Sequence, residues 1–167
     1  MTIKVGDRLP DGTLWELPVE YTHGCPTGPN AIKISDAVNG KRVVIFGLPG
    51  AFTRTCSGQH MPGYVAMADK LKAKKIDEIW CVSVNDAMVM AAWGKDLHAI
   101  GKVRMLGDGN ADFAKALGVE LDLVARGMGI RSQRYSMLVD NGVVKVFNME
   151  KPAQFEVSGA DKILAQI

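Results

Sequence analysis

No two cysteines stand close enough in this chain to form a C-x-x-C pair. The three present, Cys25, Cys56 and Cys81, are an odd number, which argues against both a secreted disulfide framework and a zinc ribbon. Charge of one sign is equally scarce. Lys plus Arg 20 against Asp plus Glu 18 leaves +2, a balance that predicts no nucleic-acid partner and no anionic membrane. No apolar run approaches the ~20 residues that span a bilayer, and Asp7, Asp11 and Glu16 interrupt the region where a signal-peptide core would lie. Repeats and low-complexity tracts are also lacking. These absences predict one domain over residues 1–167, with reduced thiols, in the cytoplasm, acting on small molecules.

Residues 1–41 are dominated by turn signals (Pro10-Asp11-Gly12, Pro18, Gly24 to Pro29, Asn39-Gly40), leaving short strands near Thr13 to Leu17 and Ala31 to Ile34. His23-Gly24-Cys25 has no second close Cys/His pair to complete a metal site and reads as loop. From Arg42 onward, buried-strand runs alternate with helical segments. Arg42 to Leu48, Ile79 to Val84 and Val103 to Leu106 are rich in β-branched and apolar residues. Between them, residues 56 to about 74 predict a helix kinked at Pro62-Gly63. Asp86 caps a second helix to about His98, with Met88, Val89, Ala92 and Trp93 near helical spacing, and Asn110 or Asp112 starts a third ending at Gly118. Asn141-Gly142 signals a type I′ hairpin between Tyr135 to Asp140 and Val143 to Phe147, and a last helix runs from about Ala160 to Ile167. That order predicts an α/β domain: a mixed sheet with helices on both faces and an antiparallel final hairpin.

The stretch Pro49-Gly50-Ala51-Phe52-Thr53-Arg54-Thr55-Cys56 joins the first core strand to the first helix. Cys56 thus falls where unpartnered backbone N–H groups and the helix dipole favour an anion. A free thiol titrating near 8.5 can fall to roughly 3.5–7.5 in such surroundings. The pattern P-x-x-x-T-x-x-C, continued by Ser57, His60, Pro62 and Gly63, resembles the peroxiredoxin family. Within it the chain is similar to the type-five subgroup, which holds the plant type II and human atypical two-cysteine enzymes. The likeness extends through Ser83-Val84-Asn85-Asp86, Trp93-Gly94, Gly101-Lys102-Val103-Arg104 and Arg134-Tyr135-Ser136-Met137.

This resemblance implies a thioredoxin-like fold and a thiol peroxidase acting on hydrogen peroxide and alkyl hydroperoxides, without cofactor or metal. Cys56 takes the place of the peroxidatic thiolate, which becomes a sulfenic acid. Thr53 offers a hydroxyl that can accept from Cys56 and donate to the peroxide, Pro49 covers the thiolate, and Arg134 matches the family's catalytic arginine. Val157 stands where the human-like branch has its resolving cysteine. Cys81 matches the second cysteine of the plant branch but sits in a predicted core strand, and Cys25 is a weaker candidate. The expected reductants are therefore external: glutathione, glutaredoxin or thioredoxin. A homodimer is expected through the end that carries Phe52 and Trp93. Two rival readings are a cysteine hydrolase using Cys56 and His60, and a thioredoxin-like redox-relay or binding module without multiple turnover.

Overall fold

The computed structural model describes residues 1–18 and 28–167, so His23 and Cys25 lie outside the described residues. Strand β3 (Arg42–Leu48) decides the architecture. Val43 and Ile45 enter one core while Val44, Phe46 and Leu48 enter another, as a two-residue side-chain period requires. A strand apolar on both faces needs a covering layer on each.

On one side β3 pairs in parallel with β4 (Glu78–Ser83), and β4 with β5 (Arg104–Gly107). On the other side it pairs antiparallel with β8 (Tyr135–Asp140), which turns back into β9 (Val143–Met149). β1 (Thr13–Glu16) lies antiparallel on β5, and β2 (Asn30–Lys33) closes that edge, giving a seven-stranded mixed sheet of order β2-β1-β5-β4-β3-β8-β9. The turn between β8 and β9 has positive φ at both central residues, Asn141 (47°) and Gly142 (78°), the type I′ geometry that matches strand twist.

One face is covered by α1 (Ile34–Ala37) and α4 (Asp112–Leu117), which contribute Ile34, Phe113 and Leu117 to the first core. The other face carries α2 (Met61–Ala73), α3 (Ala87–Asp96) and α5 (Ala160–Leu164), burying Tyr64, Leu71, Met90, Trp93 and Ile163. Asp86 caps α3 as expected, accepting from Val89 N at 2.8 Å. Arg104 ties the rim of the sheet together, reaching both carboxylate oxygens of Glu16 and one oxygen of Glu78, which also bonds Lys41. Burial pushes Glu78 upward, but the bonds from Lys41, Arg104 and Trp80 outweigh it and hold the carboxyl at about 2.

Three expectations are corrected. The kink foreseen at Pro62 is a π-helical turn, Cys56–His60, and Pro62 falls in the first turn of α2, where its missing N–H breaks no bond. The buried face of α3 carries Ala87, Met90, Trp93 and Gly94 rather than Met88 and Val89, and Met88 is 49% exposed. The expected bounds of α4 hold, since it starts at Asp112 and is capped by Gly118, and Asp108 secures that start by accepting from Phe113 N and Ala114 N. Finally, β6 (Glu120–Leu123) and β7 (Gly129–Ser132) form a separate two-stranded sheet that the sequence reading left without structure.

Candidate active site

The turn after β3 is fixed from below by one side chain. Asn85 Oδ1 accepts from Ala51 N at 3.0 Å and from Ser83 Oγ at 2.7 Å, joining the turn to the end of β4. Within the turn Phe52 is held at φ 62°, a conformation that costs a non-glycine residue free energy and that surrounding structure must over-determine. Ser57 N donates to Thr53 O at 2.9 Å, bringing the chain into the π turn with Cys56 at its start.

The Cys56 thiol is 1% exposed. Arg134, placed between β7 and β8, donates from Nη2 to its sulfur at 3.3 Å and from Nη1 to His60 Nδ1 at 2.9 Å. Arg134 therefore reaches the sulfur as the sequence predicted. Thr53 differs in detail, because its hydroxyl donates to Gly50 O at 2.8 Å rather than pairing with the thiol. A short turn lets that nearby carbonyl capture the proton. Half-buried Pro49 opens the turn directly after β3. Cys81 lies fully buried in β4 as a free thiol; burial, then the proximity of Cys56, pushes its titration well above the usual range.

His60 is completely buried. Its Nε2 lies 3.1 Å from Ser158 O, which also accepts from Tyr64 Oη at 2.9 Å. Arginine can only donate and a carbonyl can only accept, so Nδ1 is the bare nitrogen and Nε2 carries the proton. Desolvation, reinforced by the Arg134 charge, depresses the imidazole to about 3. Both nitrogens are thus occupied away from the sulfur, and the ring is no base at neutral pH. The Cys56–His60 hydrolase dyad is excluded.

One further residue at the site, Glu150, carries no signal in the sequence. Glu150 accepts on Oε1 from the backbone N–H groups of Glu156, Val157 and Ser158 and from Ser158 Oγ, while its own N–H donates to Arg134 O at 2.9 Å. Burial works against the charged form of Glu150, but these bonds prevail and keep the carboxyl below its ordinary range. Arg131 also approaches the turn: a Cβ placed on Gly50 would lie 3.0 Å from its Nη1. No helical or strand spacing announces such partners, since Glu150 gathers an irregular loop a few residues further on and Arg131 meets a turn far earlier in the chain. Of the two rings assigned to the dimer end, Trp93 is buried and donates to Ser57 Oγ at 3.0 Å, whereas Phe52 is 57% exposed above it.

A mixed sheet that presents a thiol on the turn after its central strand, with an arginine on the sulfur, defines a thiol-redox protein of the thioredoxin-like class. The Redoxin family profile matches residues 4–164. Peroxiredoxin-2C of Oryza sativa subsp. japonica is 47% identical over 162 residues, covering 97% of this chain and 96% of that one. A solved structure of reduced Prx3 from Vibrio vulnificus in complex with hydrogen peroxide is 49% identical, with TM-score 0.91 and 99% of each chain covered. A crystal structure from Burkholderia cenocepacia, provisionally named a thioredoxin reductase, is 61% identical with TM-score 0.95, covering 100% of this chain and 99% of the other. The chain belongs to the peroxiredoxin family, and it is a thiol-dependent peroxidase.

Proposed function

We propose that Cys56 is the peroxidatic residue and that the enzyme reduces hydrogen peroxide and alkyl hydroperoxides with external thiols. The supporting observation is the 3.3 Å approach of Arg134 Nη2 to the Cys56 sulfur, at the start of a helical segment and behind a braced turn. The thiolate attacks one peroxide oxygen, so an S–O bond forms while the O–O bond breaks. The departing oxygen takes up a proton and leaves as water or alcohol, and cysteine is oxidised to sulfenic acid. Arg134 holds the thiolate and meets the charge growing on the departing oxygen. Thr53 turns its hydroxyl from the Gly50 carbonyl to the peroxide, and Pro49 limits water at the sulfur.

Glutathione, glutaredoxin or thioredoxin restores the thiol, since Cys81 is enclosed in the core and Val157 replaces the C-terminal cysteine. We infer no cofactor, a cytoplasmic setting and a homodimer joined through the Phe52 end. Stopped-flow oxidation by hydrogen peroxide tests the assignment: Cys56→Ser abolishes the fast phase and Cys81→Ser retains it. A fast phase persisting without Cys56 overturns the reading.

A further inference from the structure

We propose that His60 is a positioning residue for peroxide reduction, a neutral hydrogen-bond acceptor that aims the Arg134 guanidinium at the Cys56 sulfur while Glu150 fixes the Ser158 carbonyl that orients it. The inference rests on the peroxidase reading above and adds a second layer to that site.

His60 packs among rings: Phe46 at 5.1 Å, Phe155 at 5.0 Å and Tyr64 at 5.6 Å between centroids. A phenyl group would satisfy those contacts equally well. What imidazole adds is two nitrogens, and both are engaged, with Nδ1 accepting from Arg134 and Nε2 donating to Ser158 O. Swapping the tautomer would place a donor against a donor and leave an acceptor facing an acceptor, so the two partners lock one form.

The choice of partner for Arg134 carries the electrostatic argument. A carboxylate would hold the guanidinium more strongly, but it would also neutralise the charge that favours a thiolate. Among the described residues no ion pair involves Arg134. A neutral imidazole orients the fork without cancelling its charge, and the Phe155 ring, 5.8 Å from Arg134 Cζ, covers it without cancelling it either. A nearby carboxylate, Glu150, turns Oε1 to the loop 156–158 instead. It touches Arg134 through the backbone alone. The same residue therefore fixes both ends of the path, the Arg134 main chain and the Ser158 carbonyl.

The test measures the second-order rate of Cys56 oxidation by hydrogen peroxide in the parent, His60→Phe, His60→Asn and each combined with Arg134→Met. Phenylalanine keeps the ring packing and loses both nitrogens, whereas asparagine places an acceptor near the position of Nδ1. Expected is a loss of about tenfold or more in His60→Phe, with substantial recovery in His60→Asn. In the Arg134→Met background His60→Phe should have less than about a twofold further effect, since residues acting through one another are not additive. The pH profile of iodoacetamide alkylation at Cys56, which needs no peroxidase turnover, should move to higher pH in His60→Phe. A parent-like rate and alkylation profile in that variant, or losses that multiply fully with Arg134→Met, overturn the inference. Absence of peroxide consumption by the parent would instead defeat the peroxidase reading, and alkylation would still decide the positioning claim. Should His60→Phe fail to fold, His60→Leu takes its place in the same series.

Discussion

Arg134 Nη1 stands 2.9 Å from His60 Nδ1, and the pair holds together while the imidazole is neutral. Protonation would bury a charge in a core that excludes water and set it against the Arg134 cation, which is why a group ordinarily titrating near 6.5 does so at about 3 here.

Acid stability follows from that displacement. Between pH 6.5 and about 3 the unfolded chain binds a proton at His60 that the folded chain refuses. Stability therefore falls as pH is lowered through this window, by roughly 4–5 kcal/mol in the limit. Arg134 reinforces the effect and Glu150 opposes it. Urea unfolding midpoints between neutral and acid pH should show the loss, and His60→Asn should flatten it.

The hydrogen-bond donors offered to the reacting peroxide should dominate the rate. Arg134→Met and Thr53→Val are each expected to slow peroxide reduction by about 100- to 1000-fold, the usual cost of one transition-state donor. Circular dichroism must show the fold intact. A near-parental rate in Thr53→Val would mean that its hydroxyl stays on Gly50.

Gly47 is required by the ring that crosses it. A Cβ there would sit 2.2 Å from Tyr135 Cε1, at the place where β3 and β8 pair. Gly47→Ala should therefore destabilise the domain by about 1–3 kcal/mol, the usual cost of overpacking. The check is a shift in chemical denaturation midpoint at unchanged slope.

Association should depend on Phe52, whose exposed ring extends the apolar surface beside the active-site turn. Light scattering at micromolar concentration should return the mass of a dimer for the parent and of a monomer for Phe52→Asp. A monomeric parent would remove the dimer from the proposal.

Turnover should need one cysteine of the chain. After one equivalent of peroxide, intact mass spectrometry should show a sulfenic acid, and added glutathione should convert it to a mixed disulfide, in both the parent and Cys81→Ser. Rapid formation of an internal disulfide in the parent, with turnover lost in Cys81→Ser, would establish a two-cysteine cycle instead.

The sheet was legible because its strands carry their own evidence. The β-branched run at Arg42 to Leu48 and the Asn141-Gly142 turn each name their structure locally. β6 and β7 were not legible, since they have short, half-exposed patterns flanked by glycines and gain their pairing from each other. The register of α3 was misread because spacing identifies a stripe but not which side meets a core, and Trp93 proved to be inside. At the site, Cys56 and Arg134 were found through a motif. His60 was noticed for the wrong chemistry, because the carbonyl and guanidinium that set its tautomer arrive from distant parts of the chain. Glu150 acts largely on backbone N–H groups, which are the same for every sequence and so give no partner to look for.

The single Glu150 oxygen that gathers the loop 156–158 has a consequence for how this enzyme can vary. The side chains of Glu156 and Val157 face solvent and are free to change, while buried Ser158 and the main chain behind them are held in place. A lineage could therefore exchange the loop's outer surface without retuning the sulfur. Loss of the one carboxylate would couple the two again, so that each new surface altered the reactivity of the centre beneath it.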